Sequence, residues 1–269
     1  MTLPSPILAR RCAAALAAHP ATGQFAALAV ASSDPMADVA RTVESQILGA
    51  AARDHADHED QSLFLLVLDR ESNLPAAVGR VVEGGGRTLD DAPGLIGRDL
   101  SDIVEAHGLH DGGKIWELAT IGVLPAHRGD KAVSSLLYRT FLQAGHRAGV
   151  RHVVALPDRH AHRALALLGV PFVAMAGSEP FDHFGSAGTR AVYVPFAGLE
   201  PAIAEQSERL NRPVGPFAGE IRARGLRRLL VRRAAARVSE QVATGYGLNE
   251  QIVLPGLERR RFRGLKTKR

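Results

Sequence analysis

The stretch from Ile115 to Gly149, IWELATIGVLPAHRGDKAVSSLLYRTFLQAGHRAG, constrains the fold more than any other part of the chain. Ile115 to Leu124 is apolar and partly β-branched, the pattern of a buried strand. Pro125 ends it, because proline lacks the N–H that a ladder needs. Ala126 to Lys131 forms a short polar turn. Val133, Leu136, Leu137, Phe141, Ala144 and Ala148 then recur at helical spacing, and Gly149 stands where helices commonly terminate. The helix start offers N–H groups without intrahelical partners at the positive end of the helix dipole. Such a start suits a phosphate or pyrophosphate.

The flanking sequence alternates strand and helix signals. Ile7–Ala18 reads as a helix and Gln24–Ala31 as a strand. Asp34 reads as a helix cap, with Pro35 at the first helical position and the helix running to about Arg53. Ser62–Asp69, SLFLLVLD, is a strong buried-strand signal, and Ala76–Val82 returns antiparallel after a turn. Glu83–Gly86 ends that strand. An insertion over Asp91–Gly113 carries a helix from about Asp99 to His107. Arg151–Leu156 is another buried strand, followed by a helix from about His160 to Leu168 that Gly169 closes. Phe172–Met175 and Arg190–Phe196 supply two last strands. The order predicts an α/β (α+β) domain over residues 1–198, with a mixed central sheet flanked by helices.

Composition narrows the class. An apolar fraction of 46% and a charged fraction of 23% are ordinary for a globular protein. A single cysteine, Cys12, excludes an internal disulfide and any cysteine-built zinc site, and fits a cytoplasmic location. Arg10-Arg11 precedes an alanine-rich run that reads as a short helix rather than a cleaved signal. The charge is uneven. Residues 219–269 hold 14 Lys and Arg against 4 Asp and Glu, while residues 1–218 carry a balance of −5. Residues 199–269 therefore read as a basic, partly helical extension, with a basic amphipathic helix at Glu220–Val242 and seven cations in the last eleven residues.

The central unit resembles motif A of the GNAT (general N-acyltransferase) superfamily. Val123-Leu124-Pro125 stands for its V-x-P and Arg128-Gly129 for its R-G pair. The family's two later glycines fall on Lys131 and Val133. The order of elements over roughly residues 25–198 agrees with the same resemblance. It implies a GNAT-like sheet and a thioester donor, acetyl-CoA or acyl-CoA, with no metal. The residues that would hold the donor are Ile121, Gly122, Val123 and Leu124 along the strand. Arg128, Gly129, Asp130, Lys131, Ala132 and Val133 would do so at the turn. A second family pattern, N-x-x-A-x-x-x-Y-x-x-x-G-F, falls on Asp158, Ala161, Leu165, Gly169 and Val170. It places Asp158 beside the donor and a leucine where the family's acidic tyrosine stands.

Amide formation from a thioester needs a polarised carbonyl, a neutral amine and a stabilised leaving thiolate. Glu117 is the expected base, since some GNAT enzymes, including histone acetyltransferases, carry a glutamate six residues before the equivalent of Val123. Even spacing would put Glu117 on the strand face of Ile121 and Val123. Tyr193 is the expected stand-in for the absent acid, with Tyr138 as the other choice. His160 and His162, and His55 and His58, read as surface histidines rather than ligands. The acceptor would be a small-molecule or peptide amine. Two other readings stay open. One is an autoinducer-type or long-chain N-acyl amino acid synthase fed by acyl-carrier protein, which the insertion and the altered glycine pattern fit. The other is a non-catalytic binding module whose basic tail holds nucleic acid. The tail could equally dock an acidic carrier, pack on the body, or join two copies as a homodimer.

Overall fold

The computed structural model describes residues 5–20, 23–49, 57–183, 185–211, 223–245 and 252–253. The chain enters through α1 (Ser5–Ala18), β1 (Phe25–Ala31), α2 (Ala37–Leu48), β2 (Ser62–Asp69) and β3 (Leu74–Glu83). Then follow α3 (Gly86–Ile96), α4 (Leu100–His107), β4 (Lys114–Val123), α5 (Lys131–Ala148), β5 (Val150–Ala155) and α6 (Arg159–Leu168). Short strands β6 (Val173–Ala174), β7 (Phe181–His183), β8 (Ser186–Thr189) and β9 (Val192–Pro195) lead to α7 (Leu199–Asn211), α8 (Ala223–Thr244) and β10 (Ile252–Val253). Among the described residues the main sheet has eight strands in the order β10-β1-β2-β3-β4-β5-β9-β6, and β7 and β8 form a separate hairpin. Neighbours are antiparallel except β4–β5 and β1–β10. The seven-cation segment Arg259–Arg269 of the expected tail, and His55, lie outside the described residues.

Three apolar clusters hold the layers. On one face Trp116, Leu137 and Phe141 join the sheet to α5, α7 and α8. On the other, Phe64, Leu66 and Val78 pack on α1 and α2, where Cys12 is buried. Under α3 and α4 a third cluster gathers Leu89, Ile103, Ile115 and Val154. Burial of this apolar area is the main driving force for the layered arrangement.

Three features depart from the sequence expectation. Residues 86–96, read as a strand end and the start of an insertion, form α3; its glycines and Pro93 look like breakers, yet Leu89 and Ala92 bury its face. The segment from residue 199 is not set apart from the sheet. Leu199 and Ile203 of α7 and Val238 and Val242 of α8 share the Trp116 core. Polar groups tie α8 down as well: Ser135 Oγ donates to Gln241 Oε1 at 2.9 Å and Ser239 Oγ to the Leu168 carbonyl at 3.1 Å. The third departure is a bulge in β4. Leu118 pairs with Val81 and Thr120 with Arg80, so Ala119 is the extra residue. Trp116 and Leu118 face α5 before the bulge, and Ile121 and Val123 face it afterwards. Glu117 therefore points to the opposite face from Ile121 and Val123, which corrects the even-spacing expectation.

Candidate active site

The site forms where β4 and β5 part. Their parallel pairing ends at Glu117–Val154. Beyond it β4 runs on to Val123, still laddered to β3 on its other edge. The Leu124 N–H donates to the Ala76 carbonyl of β3 at 2.9 Å. Backbone groups alternate sides along a strand, so Gly122 also turns to β3, while Ile121 and Val123 turn to the open edge. Of the four strand residues expected to hold a donor, Ile121 and Val123 thus face the parting and Gly122 and Leu124 face β3. A cavity of about 540 Å³, counted out to its mouth, lies at this parting. Leu118 and Ile121 wall it on one side and Val154 and Ala155 on the other.

The turn that follows is exposed at Arg128, Gly129 and Lys131. Asp130 caps α5: its Oδ1 accepts from Ala132 N–H at 2.8 Å and Val133 N–H at 3.4 Å. The chain's own carboxylate therefore fills the place where helix-start N–H groups would meet a phosphate. Arg128 and Lys131 remain as exposed cations beside it. Asp158 does the same for α6, accepting from Ala161 N–H at 2.7 Å.

Glu117 is 3% exposed. Its Oε1 accepts from Thr88 N–H at 2.9 Å and Thr88 Oγ1 at 2.7 Å, and its Oε2 from Arg87 N–H at 3.1 Å. It caps α3 from across the sheet, and Gly86 lies so close that a methyl group there would collide with Oε2. A carboxylate has about four acceptor positions, so roughly one stays open. Burial pushes its pKa above the ordinary 4.5, and the Thr88 and Arg87 hydrogen bonds oppose that shift.

Tyr193 lies two strands away on the same face. Its hydroxyl sits 3.1 Å from His152 Nδ1, and His152 Nε2 sits 2.9 Å from Asp111 Oδ1. Asp111 only accepts when ionised, so His152 Nε2 carries a proton. The phenol stacks on His107 with ring centroids 4.4 Å apart. Burial, and then the Asp111 charge, raise the Tyr193 pKa, while the His152 hydrogen bond holds Asp111 below the usual carboxylate range. Sequence reading missed His152 and Asp111; a histidine inside the apolar run RHVVAL was the available signal. It also missed Arg80, 2% exposed inside AAVGRVV. Arg80 bridges buried Glu44 at 3.2 Å and Glu59 at 2.6 Å and donates to Ser62 Oγ at 2.9 Å. Thr120 Oγ1 donates to Glu44 at 2.6 Å. His162 stacks on Phe172 at 4.8 Å, and no group of residues suited to a metal ion occurs among the described residues. None of the described helices is long and apolar enough to cross a membrane.

No protein-family model matches the sequence, and no curated protein matches it. Among solved structures the chain is similar to the CoA-dependent acyl-homoserine lactone synthase BjaI, in its structure with SAM and isopentyl-CoA. Identity there is 13% and the TM-score 0.46, over 77% of this chain and 99% of that one. It is similar to FeeM, an N-acyl amino acid synthase from uncultured soil microbes, at 14% identity and a TM-score of 0.48, over 69% of this chain and 96% of that one. A chain of the NatC complex bound to Gag peptide and CoA is similar at 10% identity and a TM-score of 0.44, over 64% of this chain and 99% of that one. By its own strand order, the parting of β4 from β5 and the turn into α5, the chain has a GNAT-like fold.

Proposed function

We propose that the chain is an N-acyltransferase, moving an acyl group from a thioester to an amine. The observation that supports this best is the end of the β4–β5 pairing at Glu117–Val154, with β4 continuing to Val123 beside a cleft. A pantetheine arm carries amides that need a strand edge, and the backbone of Ile121 and Val123 supplies one. An N–H on that edge would also polarise the thioester carbonyl. The amine lone pair attacks the carbonyl carbon, the C–S bond breaks, and the amine proton leaves. Glu117 is the proposed proton acceptor, at its one open lone pair. Tyr193 is the proposed donor to the departing thiolate; its hydroxyl donates to His152 Nδ1 at rest, and the phenolate left behind takes its replacement proton from solvent.

Acyl-CoA is the first reading of the donor, with Arg128 and Lys131 beside its phosphates. A second reading, a donor on acyl-carrier protein, is favoured by Asp130, whose carboxylate already takes two helix-start N–H groups. The acceptor is a small-molecule or peptide amine. Incubating the full chain with acetyl and octanoyl thioesters of CoA and of pantetheine, against a panel of amines, tests the reading through thiol release and product mass. Amine-dependent release is expected. Absence of release and of binding for every thioester would overturn it.

A further inference from the structure

Around Leu230 the helix α8 leaves the cover of the body. Val231, Val238 and Val242 share one stripe of the helix by their spacing. Val238 and Val242 are buried in the Trp116 core, whereas Val231 is 49% exposed, and Leu230 beside it is 56% exposed. The helix is held where they stand, because Arg232 Nη2 donates to the Arg209 carbonyl of α7 at 3.1 Å. A fixed helix thus presents two adjacent aliphatic side chains to solvent. Cations border the pair. Arg233 and Arg237 are exposed and fall on the same face as Leu230. α8 carries six arginines against a single acid, Glu240. That acid lies about 15 Å along the axis from Leu230. The bare aliphatics therefore sit within the basic part of a chain whose remaining residues, 1–218, have a balance of −5.

We propose that this part of α8 docks on an anionic lipid surface. Leu230 and Val231 enter the boundary between headgroups and acyl chains, and Arg233 and Arg237 pair with lipid phosphates. The inference stands apart from the acyl-transfer reading and needs no thioester. Charge alone would suit a nucleic acid or an acidic protein equally. The aliphatic pair favours lipid. A nucleic-acid backbone offers phosphates and sugars but no apolar layer for two such side chains. A second copy would set the six arginines of one helix against those of another. A bilayer boundary takes an amphipathic helix lying in its plane, through apolar burial and attraction between arginine and anionic headgroups together. Arginine suits the border, because its stem lies along the apolar zone while the guanidinium reaches a phosphate.

Co-sedimentation of the full chain with vesicles tests this. Phosphatidylcholine containing about one third phosphatidylglycerol is compared with phosphatidylcholine alone. Binding to the anionic vesicles is expected, weakening as salt rises, with little binding to the neutral ones. Arg233→Gln and Arg237→Gln should each lower the partition coefficient about fivefold. Leu230→Ser combined with Val231→Ser should lower it about tenfold at unchanged charge. Both positions are exposed, so the thermal melt of that variant should match the parent's. Val231→Trp adds a second tryptophan to the chain, whose own Trp116 is fully buried, and its emission should shift to the blue on anionic vesicles. Anionic-vesicle binding that survives Leu230→Ser with Val231→Ser in full overturns the proposal, because charge, the cations of Arg259–Arg269 included, would then suffice. Equal binding to neutral vesicles also overturns it. So does binding of duplex DNA, or self-association of the chain, with no binding of vesicles.

Discussion

Glu117 and Tyr193 stand on either side of a single residue: Val154 pairs with Glu117 of β4 and with Tyr193 of β9. The three side chains share one face and one row. At ordinary strand spacing the outer two Cα atoms are about 10 Å apart. The proposed base and acid thus bracket the last pair before β4 and β5 separate.

Glu117→Gln separates its two roles. Gln Oε1 still accepts from Thr88, while its amide meets the Arg87 N–H with a donor. Loss of a general base lowers kcat by roughly 10²-fold or more and removes the acidic limb of the pH–rate profile. A purely structural Glu117 would lower stability and leave that limb in place. Stability itself carries a sign. The folded pKa lies above the ordinary 4.5, so the contribution is full below 4.5 and is lost as pH rises through the folded value. Chemical denaturation across acid pH should show this slope flatten in the variant.

Tyr193→Phe should lower kcat by about 10²-fold while leaving KM for the donor near its original value. His152→Ala keeps the phenol and removes its partner 3.1 Å away. It is expected to shift the pH dependence of kcat, and Asp111→Asn to shift it in the same direction by less. A flat response of kcat and its pH profile to all three substitutions would remove Tyr193 from the proton path.

Asp130→Asn keeps the α5 cap, because asparagine caps about as well as aspartate. It removes a negative charge from the turn beside Arg128 and Lys131. Affinity for acyl-CoA should rise several-fold at low salt and less at high salt, where charges are screened. The matching pantetheine thioester, which lacks the phosphates, should show no change. An equal effect on both ligands would mean the turn does not meet a phosphate.

Glu44→Gln should cost no more than about 1 kcal/mol near neutral pH, because it replaces a charged acceptor for Arg80 and Thr120 by a neutral one. Arg80 would retain Glu59 and Ser62, which limits the loss. Burial raises the Glu44 pKa even though Arg80 and Thr120 oppose it. As for Glu117, its contribution is present below the ordinary 4.5 and is lost as pH rises through the folded value. Thermal melts of the two chains should therefore agree most closely at acid pH, where Glu44 is neutral like glutamine, and the parent chain should lose ground to the variant as pH rises.

Much of the frame was readable because local signals and burial agree in it. Ser62–Asp69 forms β2 as read, and Gly149 caps α5 with a left-handed backbone at φ 73°. Asp34 accepts from the Met36 N–H at 2.7 Å, near the helix start expected there. The misses share a cause, which is that long-range packing overrode local pattern. Nothing within IWELATIGV announces a bulge at Ala119, since the extra residue is fixed by pairing with Arg80 and Val81. That single residue decides which face Glu117 occupies. α3 was hidden by Gly86 and Pro93, yet Glu117, thirty positions on, supplies its cap. In α8 the apolar face expected opposite the arginines includes Val238, which with Val242 fixes the helix through the core.

The short strand β10 has a consequence beyond its two residues. It lies parallel to β1, matching Ile252 to Ala27 and Val253 to Leu28. Without it, the edge of β1 at Ala27 and Leu28 would offer unpaired peptide groups, a template for lateral stacking of chains. Trimming the chain before Ile252 should leave the catalytic half intact and turn the protein sticky, visible as concentration-dependent light scattering. Ile252 and Val253 thus act as a selvedge that keeps one molecule from knitting to the next.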